Sequence, residues 1–364
     1  MKLSRYLGVI LSVMLIASLI LPAVVYAEKP PSGKPSAPNV EIVKKAGAKG
    51  VSLMGPPSSG PKPHAATGIL GEEVTGERYA ILIGISDYPG EGYVDPMDPT
   101  GGGFDLHYAD DDAIDMALVL TLVYGFNPGN ITLLMGPNDL SDPENSDVLD
   151  PLGITPQKAT KDNIVSAIEA LKLNVGPNDE VVFHFSGHGV KRMPRPTPSQ
   201  GGGQVGIVTW GEEIYPPPGD FGFIWDKELK EAFSGFETDR IVLIFDCCLA
   251  GGMIDLGAKG RVICMATTQN GVAAETLPGM GWDNGLFTYF LLAGILEGPE
   301  LEIPAGSADF YDHNANGSIW EPSDVTVEEA FDFARSYLQG MSLAIPELWQ
   351  IPTISDRFWR DLLL

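Results

Sequence analysis

The feature that most constrains this chain is a set of short apolar runs that do not alternate with polar residues and are separated by helix-patterned segments. Tyr79 to Ile85 is the first, Glu180 to Ser186 a later one, and Ile241 to Phe245 the most uniform. A strand with one wet face alternates, whereas a strand buried on both faces reads as a continuous apolar run. Between these runs, Asp110 to Tyr124 sets Ile114, Leu118 and Leu122 at helical spacing, and Ile131 to Met135 reads as another strand. Thr160 suits the N-cap of a helix running to about Leu173, with Ile164, Ile168 and Leu171 on one stripe. Asp226 to Phe233 reads as a short helix, Val262 to Ala266 as a strand, Gly285 to Leu296 and Thr326 to Leu338 as helices, and Gln350 to Ile354 as an edge strand. Such alternation predicts an α/β fold: a mostly parallel central sheet of about six strands with helices on both faces. The stretches 86–109, 136–159 and 192–222 are acidic or rich in Gly and Pro and read as long loops, a length more often functional than idle.

Two N-terminal units precede this pattern. Residues 1–27 read as an export signal, with Lys2 and Arg5 ahead of an apolar stretch from Leu7 to Leu21 and Val25-Tyr26-Ala27 as a cleavage site. An uncleaved anchor over residues 7–26 is the rival reading, and only then would a membrane be a partner. Residues 28–77 are rich in Pro, Gly, Ser and Ala and read as a propeptide or linker. The expected domain then spans 78–364. The whole chain carries a net charge of −25, and residues 78–364 carry −28, because both leading units are basic. A field of that sign makes nucleic acid an unsuitable partner and favours cationic substrates or metal ions. Three cysteines, two of them adjacent, cannot build a disulfide framework.

In a parallel sheet, sites form just beyond the carboxyl ends of the strands. Two strands here end in reactive residues: Ser186-Gly187-His188-Gly189 after one, and Asp246-Cys247-Cys248 after another. If the strands are neighbours, His188 and Cys248 meet at one edge, where an imidazole can lower a thiol pKa or take its proton. The backbone N–H groups of Gly189 and Cys248 would then face a developing oxyanion. Cys264 and His184, inside strands, read as core, and Asp110, Asp111 and Asp115 as a solvated helix start.

Ser186-Gly187-His188-Gly189 together with Asp246-Cys247-Cys248-Leu249-Ala250-Gly251 resembles the caspase/metacaspase clan of cysteine peptidases, and the likeness runs from about Arg78 to Asp356. Metacaspases carry Asp-x-Cys-His-Ser-Gly, so the resemblance makes Cys248 the nucleophile, with Leu249 and Ala250 replacing the usual His and Ser. Leu106 to Ala113 resembles the metacaspase Leu-x-Gly-Cys-x-Asn-Asp-Ala segment, with Ala109 where that family has a second cysteine. Ala266 to Glu275 followed by Gly285 to Leu292 resembles the corresponding stretch of bacterial and archaeal members. The resemblance implies a caspase-like fold, a Cys248/His188 dyad, no organic cofactor, and a polypeptide substrate. It also implies an acidic pocket for the residue before the cut, matched here by Asp112 and Asp246, and hence cleavage after Arg or Lys. An exported, self-processing zymogen is the resulting expectation, with Lys191, Arg192, Arg195, Lys259 and Arg261 as candidate self-cleavage points. A non-catalytic binding module, and a legumain-like or Asp-specific peptidase of the same fold, are the other readings.

A separate motif, Asp312-His-Asn314-Ala-Asn316-Gly317-Ser318, fits the opening positions of a calcium loop, with oxygen donors at Asp312, Asn314, Asn316 and Ser318. The bidentate Glu expected at the twelfth position is Ser323, with Asp324 and Glu321 nearby. Calcium there would stabilise the domain and stand apart from the chemistry.

Overall fold

The computed structural model describes residues 40–43, 46–47, 65–89, 104–192, 205–214, 220–276, 283–298, 301–344 and 350–364. The expected signal or anchor, residues 1–27, and Arg195 lie outside them. The strands in chain order are β1 (Val40–Val43), β2 (Ala46–Gly47), β3 (Arg78–Gly84), β4 (Ile131–Met135), β5 (Gln157–Lys158), β6 (Glu180–Ser186), β7 (Gly189–Arg192), β8 (Val205–Ile214), β9 (Asp220–Trp225), β10 (Ile241–Asp246), β11 (Arg261–Met265), β12 (Ala274–Glu275) and β13 (Thr353–Asp356). The helices are α1 (Ala109–Leu122), α2 (Pro143–Leu149), α3 (Lys161–Asn174), α4 (Asp226–Ala232), α5 (Leu286–Ala293) and α6 (Val327–Ala344).

Seven strands form the central sheet, in the order β13-β11-β10-β6-β3-β4-β5. All are parallel except β13, which runs antiparallel along β11. The expectation of about six strands falls one short because β5 is only two exposed residues, with no apolar pattern to announce it. Every residue of β6 and β10 is buried, so both faces of the sheet's centre are covered, as their unbroken apolar runs require. Thr160 caps α3 by accepting the Asn163 N–H, and Ile164, Ile168 and Leu171 are its buried stripe.

The stretch 192–222 is not all the loop its composition predicts. Its described part holds β8 and the start of β9, which join β1 and β7 in a second, antiparallel sheet of order β1-β7-β8-β9. Val205, Ile207, Val208, Phe221 and Phe223 bury into the core, and only the Gly/Pro-rich flanks carried the loop signal. The linker segment likewise does not stand apart from residue 65 onward. The Asp332 carboxylate accepts the N–H groups of Ala65 and Ala66, and Asp361 accepts those of Thr67 and Gly68. Backbone donors so gathered tie this stretch to the C-terminal end of the domain.

Glu180 opens β6 fully buried, with no hydrogen-bond partner for either carboxylate oxygen among the described residues. Burial pushes its pKa up to about 8 against the pull of Arg78 and Arg240. The folded protein therefore holds a proton there that the unfolded chain releases near pH 4.5. This contribution to stability is full below that pH and is lost as the pH rises to about 8. Glu180→Gln should flatten the fall in melting temperature over that window and raise it at pH 9 by at least about 2–4 °C, the shift that about 1 kcal/mol gives a domain of this size class. Calorimetry of both proteins from pH 5 to 9 checks this.

Candidate active site

Strands β6 and β10 are parallel neighbours, with Ser186 opposite Asp246 at their carboxyl ends. Two residues beyond each, the chain delivers His188 and Cys248 to the same edge. The approach is close: a Cβ added to Gly189 would stand 2.0 Å from the Cys248 carbonyl oxygen, so only glycine lets the two backbones meet. Gly189→Ala must push the Cys248 backbone aside. It should cut kcat/KM about 10²-fold or more, the scale of loss for a displacement near 1 Å, and peptide hydrolysis at matched folded concentration measures it.

His188 is positioned by groups that no motif announces. Its Nε2 lies 2.6 Å from the Phe104 carbonyl oxygen, which can only accept, so the proton sits on Nε2 and the lone pair on Nδ1. The His188 backbone N–H donates to the Tyr88 hydroxyl at 2.9 Å, and the two rings lie 4.7 Å apart. The orienting group for His188 is thus a main-chain carbonyl, whose role is independent of the Phe104 side chain. Sequence pattern carries no signal for it.

The Cys248 Sγ lies 3.4 Å from the Ala273 N–H and 3.8 Å from the Ala273 carbonyl oxygen. The next residue, Leu249, takes the left-handed conformation at φ 65°, unusual for a residue with a branched side chain, and its N–H donates to Gly271. Strain of this kind concentrates where a turn must present one side chain. Cys247, Cys248 and Cys264 are all free thiols. Cys264 sits in β11, where burial pushes its thiol pKa well up, in keeping with a core role.

Asp112 and Asp246 are both fully buried, Asp246 as the last residue of β10. Asp112 accepts the Ser186 hydroxyl at 2.5 Å and the Gly285 N–H at 2.9 Å. Asp246 accepts the Thr288 N–H and hydroxyl at 3.0 and 2.9 Å. Both carboxylates thus meet the N-terminal turn of α5, whose dipole favours negative charge. Around them the start of α1 is not simply a solvated face. Asp110 is buried and accepts from the Ser86 hydroxyl and Asn145. Asp111 is pushed up to about 8 by burial and then by Asp110, Asp115, Asp112 and Asp283.

The remaining expected residues lie elsewhere. Arg261 is buried, donating to the Leu256 and Phe233 carbonyls, so it does not serve as a self-cleavage point. Lys191 and Arg192 are in β7, where Lys191 is paired on both sides, while the Lys259 side chain is exposed. In the loop 312–318, Asp312 accepts the N–H groups of Asn316 and Gly317, and Ser318 donates to Asn316 Oδ1. Gly317 takes φ 85° at the sixth position, as a calcium loop needs. Glu321, not Ser323, reaches across the loop to the Asn314 and Asn316 amides. Among the described residues no group of three or more His, Cys, Asp or Glu is arranged to hold a metal ion.

Comparison with known proteins agrees with this geometry. The family model described as metacaspase, peptidase C14 domain, matches residues 78–257, the part that supplies β3, β6, β10 and both reactive residues. Metacaspase-1 of Kluyveromyces lactis is 29% identical over 195 residues, which is 50% of this chain and 36% of that protein. Metacaspase-1A of Aspergillus terreus is 29% identical over 189 residues, 50% of this chain and 38% of that protein. The chain thus spans little more than a third of the length of these curated relatives. A solved structure from Geobacter sulfurreducens (GSU0716) superposes with a TM-score of 0.41 at 16% identity, covering 79% of this chain and 95% of that one, too loosely to support any further comparison. With the motifs in order and the strands that carry them side by side, the chain belongs to the caspase/metacaspase-like peptidases through its metacaspase peptidase C14 domain, a family of cysteine-type endopeptidases.

Proposed function

We propose that this protein is an exported cysteine endopeptidase in which Cys248 attacks the scissile carbonyl and His188 manages the proton. The observation that carries the reading is the backbone contact of Gly189 with Cys248, with His188 held by the Phe104 carbonyl. In the proposed reaction His188 Nδ1 takes the thiol proton, the thiolate adds to the substrate carbonyl, and the tetrahedral oxyanion is held by the N–H groups of Gly189 and Cys248. Collapse breaks the C–N bond as the imidazolium gives its proton to the leaving amine. Water then hydrolyses the thioester by the reverse use of His188.

Substrate choice follows from charge. The buried carboxylates Asp112 and Asp246, in a domain of net −28, favour Arg or Lys before the cut and repel an acidic side chain. The alternatives, a binding module and Asn- or Asp-directed cleavage, predict different outcomes in one assay. Fluorogenic peptides ending in Arg, Lys, Asp and Asn, with and without calcium, should show turnover of the first two. Turnover confined to Asp or Asn overturns the specificity, and no turnover of any favours the binding module. Export predicts that the mature protein, recovered from the producing cell, starts after Ala27. Among the described residues no helix is long and apolar enough to cross a membrane.

Calcium is proposed only as a stabiliser of the 312–318 loop, through Asp312, Asn314, Asn316 and Ser318, with Glu321 as closing ligand. Adding calcium to metal-stripped protein should raise the melting temperature by about 2–4 °C for a ligand worth about 1 kcal/mol at the concentration used. No shift removes the site.

A further inference from the structure

The main chain beside the Cys248 sulfur is held by a side chain far away in sequence. The segment from Gly271 to Ala274 runs along Cys248 and Leu249: the Leu249 N–H donates to the Gly271 carbonyl at 2.9 Å, and the Ala273 N–H donates to Cys248 Sγ at 3.4 Å. The next amide is engaged elsewhere. The Ala274 N–H donates to Gln350 Oε1 at 3.0 Å, across 76 positions of sequence. Gln350 stands three residues before β13, which pairs with β11, so its backbone is tied to the central sheet. Ala273, Ala274 and Gln350 are each 0% exposed, so these bonds form away from solvent. Gln350 also carries polarity that packing does not need. While its Oε1 meets the Ala274 N–H, its Nε2 has no hydrogen-bond partner among the described residues. A buried amide left half unpaired costs stability that an apolar side chain of the same volume would keep. What its oxygen holds is the reason for an amide at this position.

We infer that Gln350 is a positioning residue: its amide oxygen aims the Ala273 N–H at Cys248 Sγ and so sets how readily that thiol ionises. The inference rests on the reading of Cys248 as the nucleophile. Peptide units are planar, so only the φ and ψ of Ala273 separate the amide that Gln350 grips from the amide that faces the sulfur. Fixing one aims the other. A neutral thiol is a weak acceptor, whereas a thiolate takes a charge-assisted bond from an N–H, and a donor to the charged form lowers the pKa. In the proposed reaction the S–H bond breaks, the proton goes to His188 Nδ1, and the negative charge left on sulfur meets the Ala273 N–H. The ionisable side chains on the surrounding elements are His188 and Tyr88, Asp112 on α1, Asp246 and Cys247 just before the sulfur, and Glu275 on β12. None of them is altered when Gln350 is replaced, so a change in the thiol's acidity reports on the Gln350 bond.

The test compares the full-length wild type with Gln350→Met, which keeps the volume and removes the acceptor. Thiolate formation is read by ultraviolet absorbance against pH, as the difference between each protein and the same protein carrying Cys248→Ala. The Cys248 midpoint should rise by at least about one unit in Gln350→Met, which is about tenfold less thiolate at a pH below both midpoints. For whichever peptide the wild type turns over, kcat at that pH should fall at least about tenfold and recover as the pH rises, with KM within about twofold. A glutamine that serves only packing would change the melting temperature and leave the midpoint in place, so an unmoved midpoint in the folded variant overturns the inference. A midpoint that rises in a protein whose wild type turns over no peptide upholds the grip on the sulfur and rejects the peptidase reading. Where Gln350→Met does not fold, Gln350→Asn, which keeps the amide but is one methylene too short to meet Ala274, is read in the same way.

Discussion

Cys248→Ala is expected to reduce peptide hydrolysis by about 10⁴-fold or more while leaving the melting temperature within about 2–4 °C of wild type. The size of the loss follows from covalent chemistry. Without the sulfur no thioester forms, and what remains is the residual stabilisation that the Gly189 and Cys248 N–H groups give a water-attacked carbonyl. The stability is expected to hold because alanine preserves the backbone against which Gly189 packs, and the sulfur's contacts to the Ala273 main chain are weak ones. Incubation of the purified full-length protein gives a second measurement. Wild type should fragment after basic residues, with Lys259 an exposed point among those described, while Cys248→Ala stays whole. Equal fragmentation of both proteins rejects self-processing. Equal hydrolysis by both rejects Cys248 as nucleophile.

Asp246→Asn is the second large effect. Asparagine keeps the shape and leaves a carbonyl oxygen to accept from the Thr288 N–H and hydroxyl, so the start of α5 stays in place. What disappears is a buried carboxylate at the carboxyl end of β10. Truncating one side of a buried charge pair costs about 2–5 kcal/mol, so kcat/KM for an Arg peptide should fall by roughly 30-fold to several thousand-fold. The rate at which iodoacetamide alkylates Cys248 should not change, which separates a lost pocket charge from a damaged nucleophile. Asp112→Asn should act in the same direction, and peptides ending in Asp should gain relative to Arg in both variants. A variant that loses Arg, Asp and Asn peptides equally would show that these carboxylates serve only to cap α5 and bind Ser186.

Both predictions reach residues that the sequence exposes at once, and the reason lies in the sheet. Because β6 and β10 are buried on both faces, their apolar runs are continuous, and the polar residues that follow stand out as strand ends. Ser186 and His188, and Asp246 and Cys248, are therefore visible as two pairs at equal distance past two strands. Helix α3 was visible for a similar local reason, with its cap and stripe both written in side-chain type. The edge strand β5 was not, since two exposed residues have no period to detect.

The remaining misses share one cause: backbone groups do their work whatever residue bears them. The Phe104 carbonyl that fixes the His188 tautomer could belong to any residue, and Tyr88 reaches the His188 N–H across 100 positions of sequence. The antiparallel sheet β1-β7-β8-β9 hid behind Gly/Pro-rich flanks, and the docking of residues 65–68 on Asp332 and Asp361 depends on N–H groups that carry no pattern. Local chemistry, the order of hydrophobic runs and the sign of the charge were settled by the order of residues alone, because each is a property of side chains close together in the chain. Which strand lies beside which, what holds the imidazole, and where the N-terminal strands come to rest were decided only on folding, because hydrogen bonds between distant main-chain groups do not depend on the side chains that a sequence records.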